Sequence, residues 1–464
     1  MSSPWPAEGT IDRLPDEARR LRHAEGALAS HLEAHGYAEV VVPLLEREGV
    51  WSDSDAVRLV DRAGQVLGLR PDFTSSIARL VAGRLAHQGD VRLSYRGTVF
   101  RDAARGRRQR QQVGFERFGA STAAEDVEIL RVARGALERL GLTPTLSVGS
   151  AAVVQQLLAH AGLAGHADTP ELRRALDRRD GAALPEVLRP LLGLYGEPSR
   201  IDEAKRVLPA VTHAALERLR QVATEAGGLV DLAEVRPWSW YTGVVFSFHA
   251  PGLPRAVCAG GRYDELVGRF GPSRPAVGAT FDVDALIEAD ATRVRAPDAP
   301  LRVALPKGRM QKAVLAALGS HAPTPEALAS RALILDGARG TLQFLLVKDP
   351  DVPAYVERGA ADVGIAGLDT LRERDADLLE PRVLPFGRCK MCLCGRPDVR
   401  LAEIAKQRTP VVATKYPRLT QQALAARGLS AEILELQGSV ELSVATGLAD
   451  AIVDLVETGA TLRD

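Results

Sequence analysis

Cysteine is scarce in this chain, with four in 464 residues, at positions 258, 389, 392 and 394. So few thiols, three of them crowded together, exclude a disulfide framework and fit a reducing compartment, so the cytoplasm is the expected location. An excess of either charge is also missing: 59 lysines and arginines balance 59 aspartates and glutamates. Binding to nucleic acid wants a broad basic field, so no nucleic-acid partner is expected. No apolar run reaches a membrane span and the N-terminus has no apolar leader stretch, so no membrane partner is expected either. His31, His35, His213 and His249 are read as structural or solvated. The run from Cys389 to Cys394 reads as a strand, which puts Cys392 and Cys394 on one face and Cys389 on the other. A closed zinc site wants a fourth ligand and staggered turns, so no resident metal is expected.

What is present is enough apolar material, 46% of residues, for two or three cores. Residues 287–300 (IEADATRVRAPDAP) are charged and proline-bearing, with little apolar periodicity. The expected division is therefore a first domain at 1–290, a linker at 291–300 and a second domain at 301–464. Within the first, residues from 151 to about 226 carry helical patterns (VVQQLLAH, ELRRALDRR, ALERLRQVATEA). In the second, apolar strand candidates at 332–335, 342–347 and 363–365 alternate with helical stretches, which is an α/β plan.

The last sixteen residues, ADAIVDLVETGATLRD, are the most informative. An apolar strand runs into Glu457, Thr458, Gly459, Ala460, Thr461 and Leu462. Such a turn offers consecutive backbone N–H groups and two hydroxyls to one point, and Gly459 lets an anion approach the backbone. Asp454 and Glu457 flank the turn, where carboxylates suit the vicinal hydroxyls of a ribose. Carboxylate followed by Thr-Gly-x-Thr reads as a sugar-phosphate site. The same residues also suit an ordinary strand-to-helix turn. Residues 301–309 (LRVALPKGR) add a strand ending in a cationic pair, Lys307 and Arg309.

Five ordered stretches then carry a resemblance: ALPKGR, FLLVKDPDVPAYVERGAADVGIAGLD, VATKYP, GSVEL and GLADAIVDLVETGATLR. Together they resemble the short form of ATP phosphoribosyltransferase, the first enzyme of histidine biosynthesis, over essentially all of 301–464. That form works with a separate subunit similar to histidyl-tRNA synthetase, and residues 1–290 are similar to that partner. Residues 36–45 (GYAEVVVPLL) resemble the first class II synthetase motif, and 95–101 (YRGTVFR) with 108–119 (RQRQQVGFERFG) the second. Residues 69–80 (LRPDFTSSIARL) resemble the loop and helix that hold the substrate amino group. Residues 240–244 (WYTGV) and 259–264 (AGGRYD) resemble the two histidine-binding segments. The implied fold is α+β and α/β: a class II synthetase-like antiparallel sheet core, then a two-lobed, periplasmic-binding-protein-like α/β transferase. The implied assembly is a homo-oligomer.

Two departures separate the first part from a working synthetase. The third motif should supply an arginine for ATP, yet 277–286 (VGATFDVDAL) offers Asp282 and Asp284. No anticodon-binding domain separates this part from residue 301. The resemblance implies a retained histidine pocket: Asp72 and Thr74 for the ammonium, Arg101 for the carboxylate, and Gln112, Glu116, Tyr241 and Tyr263 around the ring. Arg236 falls where the synthetase carries a further catalytic arginine, and Asp72 replaces its usual glutamate. The dense run Arg96, Arg101, Arg105, Arg107, Arg108 and Arg110 otherwise reads as a solvated loop.

The resemblance implies transfer of phosphoribose from phosphoribosyl pyrophosphate to N1 of the ATP adenine, with Mg2+ on the substrate phosphates and free histidine as feedback inhibitor. The 5′-phosphate then goes to Thr458, Gly459, Ala460, Thr461 and Leu462, and the ribose hydroxyls to Asp454 and Glu457. Pyrophosphate or ATP phosphates fall to Lys307, Arg309 and Arg331, and Lys415 and Glu441 become second-lobe contacts. Lys348 stands where the family usually has arginine, keeping the charge but losing the planar fork. The family continues some tens of residues past the cradle, whereas this sequence stops at Asp464. A histidine-activating synthetase relative and an inactive ligand-binding protein are the alternative functions.

Overall fold

The computed structural model describes residues 6–51, 56–102, 107–164, 169–234, 240–251, 253, 255–288, 299–308, 310–376, 378–396, 400–436, 438 and 440–456. The chain divides into two compact units, Met1–Ala296 with Leu379–Pro381, and Pro297–Leu378 with Arg382–Asp464.

The first unit is built on a nine-stranded sheet. Its middle is an antiparallel run in the order Val91–Phe100, Gln109–Phe118, Ala276–Asp282, Ala256–Arg262, Val244–His249, Thr145–Ser150. Parallel pairs extend it: Ala38–Glu39 beside Val91–Phe100 at one edge, and Leu229–Asp231 beside Thr145–Ser150 at the other, with Tyr195–Gly196 outermost. Successive side chains of a strand point to opposite faces. Val113, Phe115, Ala279, Phe281, Phe246 and Phe248 accordingly join one core. Helices Pro15–Ala34, Ala123–Arg139 and His213–Ala226 contribute Leu28, Leu130 and Leu219 to the same core. Their ends are set locally. Pro15 and two acidic residues open the first, a Thr122–Glu125 capping box opens the second, and Gly227 at φ 65° closes the third.

The stretch from 151 to 226 is helical as its periodicity predicts, with helices Ala151–His160, Pro170–Asp177, Arg200–Val207 and His213–Ala226. It serves as the crossover between two parallel neighbours, Thr145–Ser150 and Leu229–Asp231, a connection that needs a dozen residues or more. The remaining strands, Leu45–Arg47, Arg58–Val60 and Val66–Leu69, form a small antiparallel sheet.

The second unit holds two four-stranded sheets with one plan: three parallel strands and an antiparallel strand at one edge. In the first sheet the order is Ile334–Asp336 (antiparallel), Leu342–Lys348, Leu301–Lys307, Val363–Gly364. In the second it is Lys390–Gly395 (antiparallel), Ala451–Val456, Val411–Thr414, Glu432–Glu435. Separate apolar clusters cover the two faces of each sheet: Val303, Leu305 and Phe344 against Ala304 and Val347, then Val412 and Val453 against Ala413 and Ile452. Burial on both faces explains why these strands are continuously apolar rather than alternating.

Candidate functional site

On the face of the first sheet opposite its core, Glu116 is buried and saturated with hydroxyl donors. Thr74 Oγ1 donates to its Oε1 over 2.9 Å and the Tyr95 hydroxyl over 3.1 Å, while the Tyr263 hydroxyl donates to Oε2. Tyr95 is itself 2.8 Å from Thr280 Oγ1. Neighbouring strands make room for this. A Cβ on Gly278 would lie 1.5 Å from Glu116 Oε2, and one on Gly114 would lie 2.4 Å from the Tyr95 ring. Burial pushes the Glu116 carboxyl up to about 7, against the pull of the three hydroxyls.

Asp72 sits nearby, 6% exposed, ahead of helix Thr74–Arg84. Its Oδ1 accepts the Ser75 N–H over 3.1 Å, whereas its Oδ2 is buried without a hydrogen-bond partner. Burial raises its pKa, and Arg101 works in the opposite direction. Arg101 follows strand Val91–Phe100, and its Nε donates to the Pro71 carbonyl over 3.2 Å. The rings of Tyr241 and Tyr263 stand edge to face at 6.4 Å, with Trp240 packed on both. Gln112 lies on the Glu116 face of its strand, opposite Gly97 and Asp282. The structure thus brings Asp72, Thr74, Arg101, Gln112, Glu116, Tyr241 and Tyr263 to one region. Arg236 lies outside the described residues.

Sequence reasoning missed Tyr95 and Thr280, which complete the hydroxyl network, and the two glycines that clear space for it. The available signal was the alternation of Gly114, Glu116, Gly278 and Thr280 with the apolar Val113, Phe115, Ala279 and Phe281. It also missed Arg262, which is 2% exposed. Its guanidinium holds Asp126 at 2.7 Å and Asp264 at 2.9 Å, and Arg218 reaches Asp126 at 2.8 Å. This network ties the histidine-segment loop to helices Ala123–Arg139 and His213–Ala226.

The carboxylates in place of the third-motif arginine are internally engaged. Asp282 accepts the Ala285 N–H over 2.9 Å, capping helix Val283–Glu288. Asp284 pairs with Arg13, lies 3.5 Å from Arg107 and accepts the Gln111 N–H over 2.9 Å. Both carboxylates are thus held by the chain's own cations and backbone N–H groups. The rest of the arginine run is similarly matched: Arg96 with Glu39, Arg107 with Glu288, Arg108 with Asp102, Arg110 with Asp282. Arg105 lies outside the described residues.

In the second unit the candidates gather at the carboxyl ends of parallel strands, where open α/β sheets bind ligands. Lys307 and Lys348 end their strands directly opposite each other, both exposed. Arg331 precedes Ile334–Asp336, whose antiparallel register puts its start at the Lys348 end of the neighbouring strand. Asp349, next in the chain, accepts the Thr370 hydroxyl over 3.0 Å on Oδ2, while its buried Oδ1 has no partner. In the other sheet, Lys415 follows Val411–Thr414 and lies 3.9 Å from Asp454, which is in Ala451–Val456. Tyr416 donates to Asp369 over 3.0 Å, bridging the carboxyl ends of the two sheets. Glu441 opens helix Glu441–Ala445 and is exposed. Arg309 and the cradle residues Glu457, Thr458, Gly459, Ala460, Thr461 and Leu462 lie outside the described residues. Cys392 and Cys394 share a face, as the strand period predicts, and Cys394 packs into the core beneath. No group of three or more histidine, cysteine or acidic side chains able to hold a metal occurs among the described residues. No described helix is long and apolar enough to cross a membrane.

Comparison with known proteins assigns both parts. The histidyl-tRNA synthetase family model matches residues 9–286, and the ATP phosphoribosyltransferase family model matches residues 348–464. An ATP phosphoribosyltransferase regulatory subunit of Burkholderia cenocepacia is 35% identical, covering 62% of this chain and 84% of its own length. That of Burkholderia multivorans is also 35% identical, covering 68% and 92%. Among solved structures, an ATP phosphoribosyltransferase regulatory subunit/histidyl-tRNA synthetase from Bacillus halodurans superposes with TM-score 0.57 at 25% identity, over 79% of this chain and 98% of its own. A histidine–tRNA ligase subunit from Alicyclobacillus acidocaldarius gives 0.54 at 28%, over 62% and 97%. The chain therefore belongs to the ATP phosphoribosyltransferase regulatory subunit family, with a histidyl-tRNA synthetase-like first part, and carries in the same polypeptide a segment of the ATP phosphoribosyltransferase family itself.

Proposed function

We propose that this chain is a fused, histidine-sensing ATP phosphoribosyltransferase of the cytoplasm, in which residues 1–290 regulate and residues 301–464 catalyse. The observation that carries the reading is the in-register pair Lys307 and Lys348 at one carboxyl edge, with Lys415 and Asp454 at the matching edge of a second sheet of the same plan. Two like charges directly opposite each other repel unless an anion lies between them. A substrate carrying phosphates supplies that anion. The common plan of the two sheets supports a two-lobed transferase with its site at the facing carboxyl ends.

The proposed reaction joins N1 of the ATP adenine to C1 of phosphoribosyl pyrophosphate, and the C1–O bond to pyrophosphate breaks. The adenine nitrogen is already nucleophilic, so no general base is required. Rate comes from positioning and from cations facing the leaving group. Lys307, Arg309, Arg331 and Lys348 take the pyrophosphate or ATP phosphates, and Lys415 and Glu441 make second-lobe contacts. Asp454 and Glu457 take the ribose hydroxyls, and 458–462 take the 5′-phosphate. Magnesium keeps several waters and binds through one or two carboxylates plus substrate phosphates. The unpartnered Oδ1 of Asp349 would supply one such oxygen. Bound there, the ion would neutralise charge developing on pyrophosphate.

In the first unit, the unpartnered Asp72 Oδ2 beside Arg101 and the saturated Glu116 favour an amino-acid ligand, free histidine, acting as feedback inhibitor. The engaged Asp284 disfavours adenylation. The likeness of residues 36–45 to the motif through which class II cores pair favours a homo-oligomer. The test is absorbance growth from phosphoribosyl-ATP on mixing both substrates with the full chain and magnesium, then its suppression by histidine. A protein that binds histidine but never forms product would leave only the ligand-binding part of the proposal standing.

A further inference from the structure

We propose that the Glu116 pocket binds histidine with the ring as imidazolium, so that binding at mildly alkaline pH draws a proton from solution. This rests on the amino-acid reading above but adds the charge state of the ligand, which that reading leaves open.

Tyr95 and Tyr263 each own one hydroxyl proton, and both are donated to Glu116, as is that of Thr74. The Thr280 hydroxyl is then the donor in its 2.8 Å contact with Tyr95. The Thr74, Tyr95, Tyr263 and Thr280 hydroxyls have therefore spent their protons, and toward a ligand these four present only lone pairs. An ionised carboxylate has about four acceptor positions. Three of the Glu116 positions are filled, and the last one also asks for a donor. A neutral imidazole has one N–H and one bare nitrogen, and the bare nitrogen would meet acceptors here. An imidazolium has two N–H groups and matches them.

Charge leads to the same ligand form. The groups facing Glu116 are Asp72 from the loop before helix Thr74–Arg84, Thr74 on that helix, Tyr95 on its strand, and Tyr263 with Tyr241 beyond it. Strand Ala276–Asp282 contributes the uncharged Gly278 and Thr280. Arg101 acts on Asp72. Among the described residues, and with Glu116 ionised, two carboxylates and one guanidinium leave one negative charge in excess. Histidine with ammonium, carboxylate and imidazolium carries one positive charge in excess, and the sum is zero. With a neutral ring, one negative charge would stay buried, which is costly.

In the free protein Glu116 titrates at about 7, and free imidazole at about 6.5. Near pH 8 both are mostly deprotonated, so forming the carboxylate–imidazolium pair takes up about 0.9 proton. Below about pH 6 both are protonated beforehand, and binding releases a proton instead. Affinity therefore peaks near neutrality and falls roughly tenfold per pH unit well to either side.

The test is titration calorimetry of the full chain with L-histidine at pH 8 in two buffers of different ionisation enthalpy. The expected result is uptake close to one proton, and an affinity that drops about tenfold between pH 7.5 and 8.5. 1,2,4-Triazole-3-alanine, nearly isosteric but not protonated in this range, should bind at least about tenfold more weakly at pH 7. The Glu116→Gln variant should lose the proton uptake. Histidine binding with buffer-independent heat and a flat affinity over pH 7–8.5 would overturn this inference and leave the amino-acid reading intact. No histidine binding at any pH would overturn both.

Discussion

The pocket around Glu116 is mostly built within the fold, with one acceptor position of Glu116 and the Oδ2 of Asp72 left open, whereas the strand-end lysines of the second unit stand exposed. In the first, hydroxyls and carboxylates satisfy one another in a buried network, and glycines on the neighbouring strands are spent to make it fit. In the second, Lys307 and Lys348 stand exposed and in register, so that an anion at this edge would be attracted to both. A receptor that must recognise one small molecule gains from a rigid, desolvated mould. A transferase whose work is charge stabilisation gains from cations that reach full effect only against substrate.

The largest expected effect falls on the frame of the first pocket. Arg262 is buried between Asp126 and Asp264, so Arg262→Met takes a guanidinium from the buried Asp126, which keeps only Arg218, and from the partly exposed Asp264. Breaking a buried pair typically costs about 3–5 kcal/mol. Urea denaturation of the full chain should show the loss in the transition of the first unit. A change under about 0.5 kcal/mol would mean that the network is decorative and that the pocket is less rigid than the comparison claims.

The pocket's rigidity also has a pH signature. The Glu116 pKa is raised from 4.5 in the open chain to about 7 in the fold. The stability held by its protonated form is complete below about 4.5 and is lost as the pH rises through about 7, a swing of about 3 kcal/mol. Glu116→Gln lacks this titration. Its stability relative to the parent should therefore improve by about that amount between pH 4.5 and 8, read from parallel urea melts without ligand. Parallel curves with no pH-dependent offset would mean that the carboxylate is well solvated.

For the second unit, Lys307→Ala should lower the rate of phosphoribosyl-ATP formation by about 10²-fold, or roughly 2.7 kcal/mol, the scale of losing one preorganised donor. Histidine affinity measured on the same variant should not move. A variant that loses histidine binding along with activity would show that the two regions are not the separable devices described.

Much of this was legible in the sequence because it is written in local chemistry. The apolar strands 301–307 and 342–348, the helical periodicity of 151–226 and the motif residues Glu116, Asp72 and Tyr263 need only their neighbours to be read. What stayed hidden depends on register. Gly278 matters because its strand sets it opposite Glu116, and Lys307 pairs with Lys348 only through a parallel alignment of strands 41 residues apart. Arg262 looked like part of a binding segment, yet its charge is used inward, on a helix 136 residues earlier.

The smallest and sharpest test is Lys348→Arg. The side chain is exposed at a strand end, so the exchange should leave folding within about 0.5 kcal/mol. Lysine offers an anion a point charge, and arginine a planar fork able to make two parallel hydrogen bonds. If the strand-end cations act by stabilising the leaving pyrophosphate, the fork should raise the turnover rate by roughly three- to fivefold, under about 1 kcal/mol, with little change in KM. A fall in KM with turnover unchanged would instead assign Lys348 to binding substrate and transition state alike. The exposed edge would then be a docking surface, closer in character to the first pocket than its geometry implies.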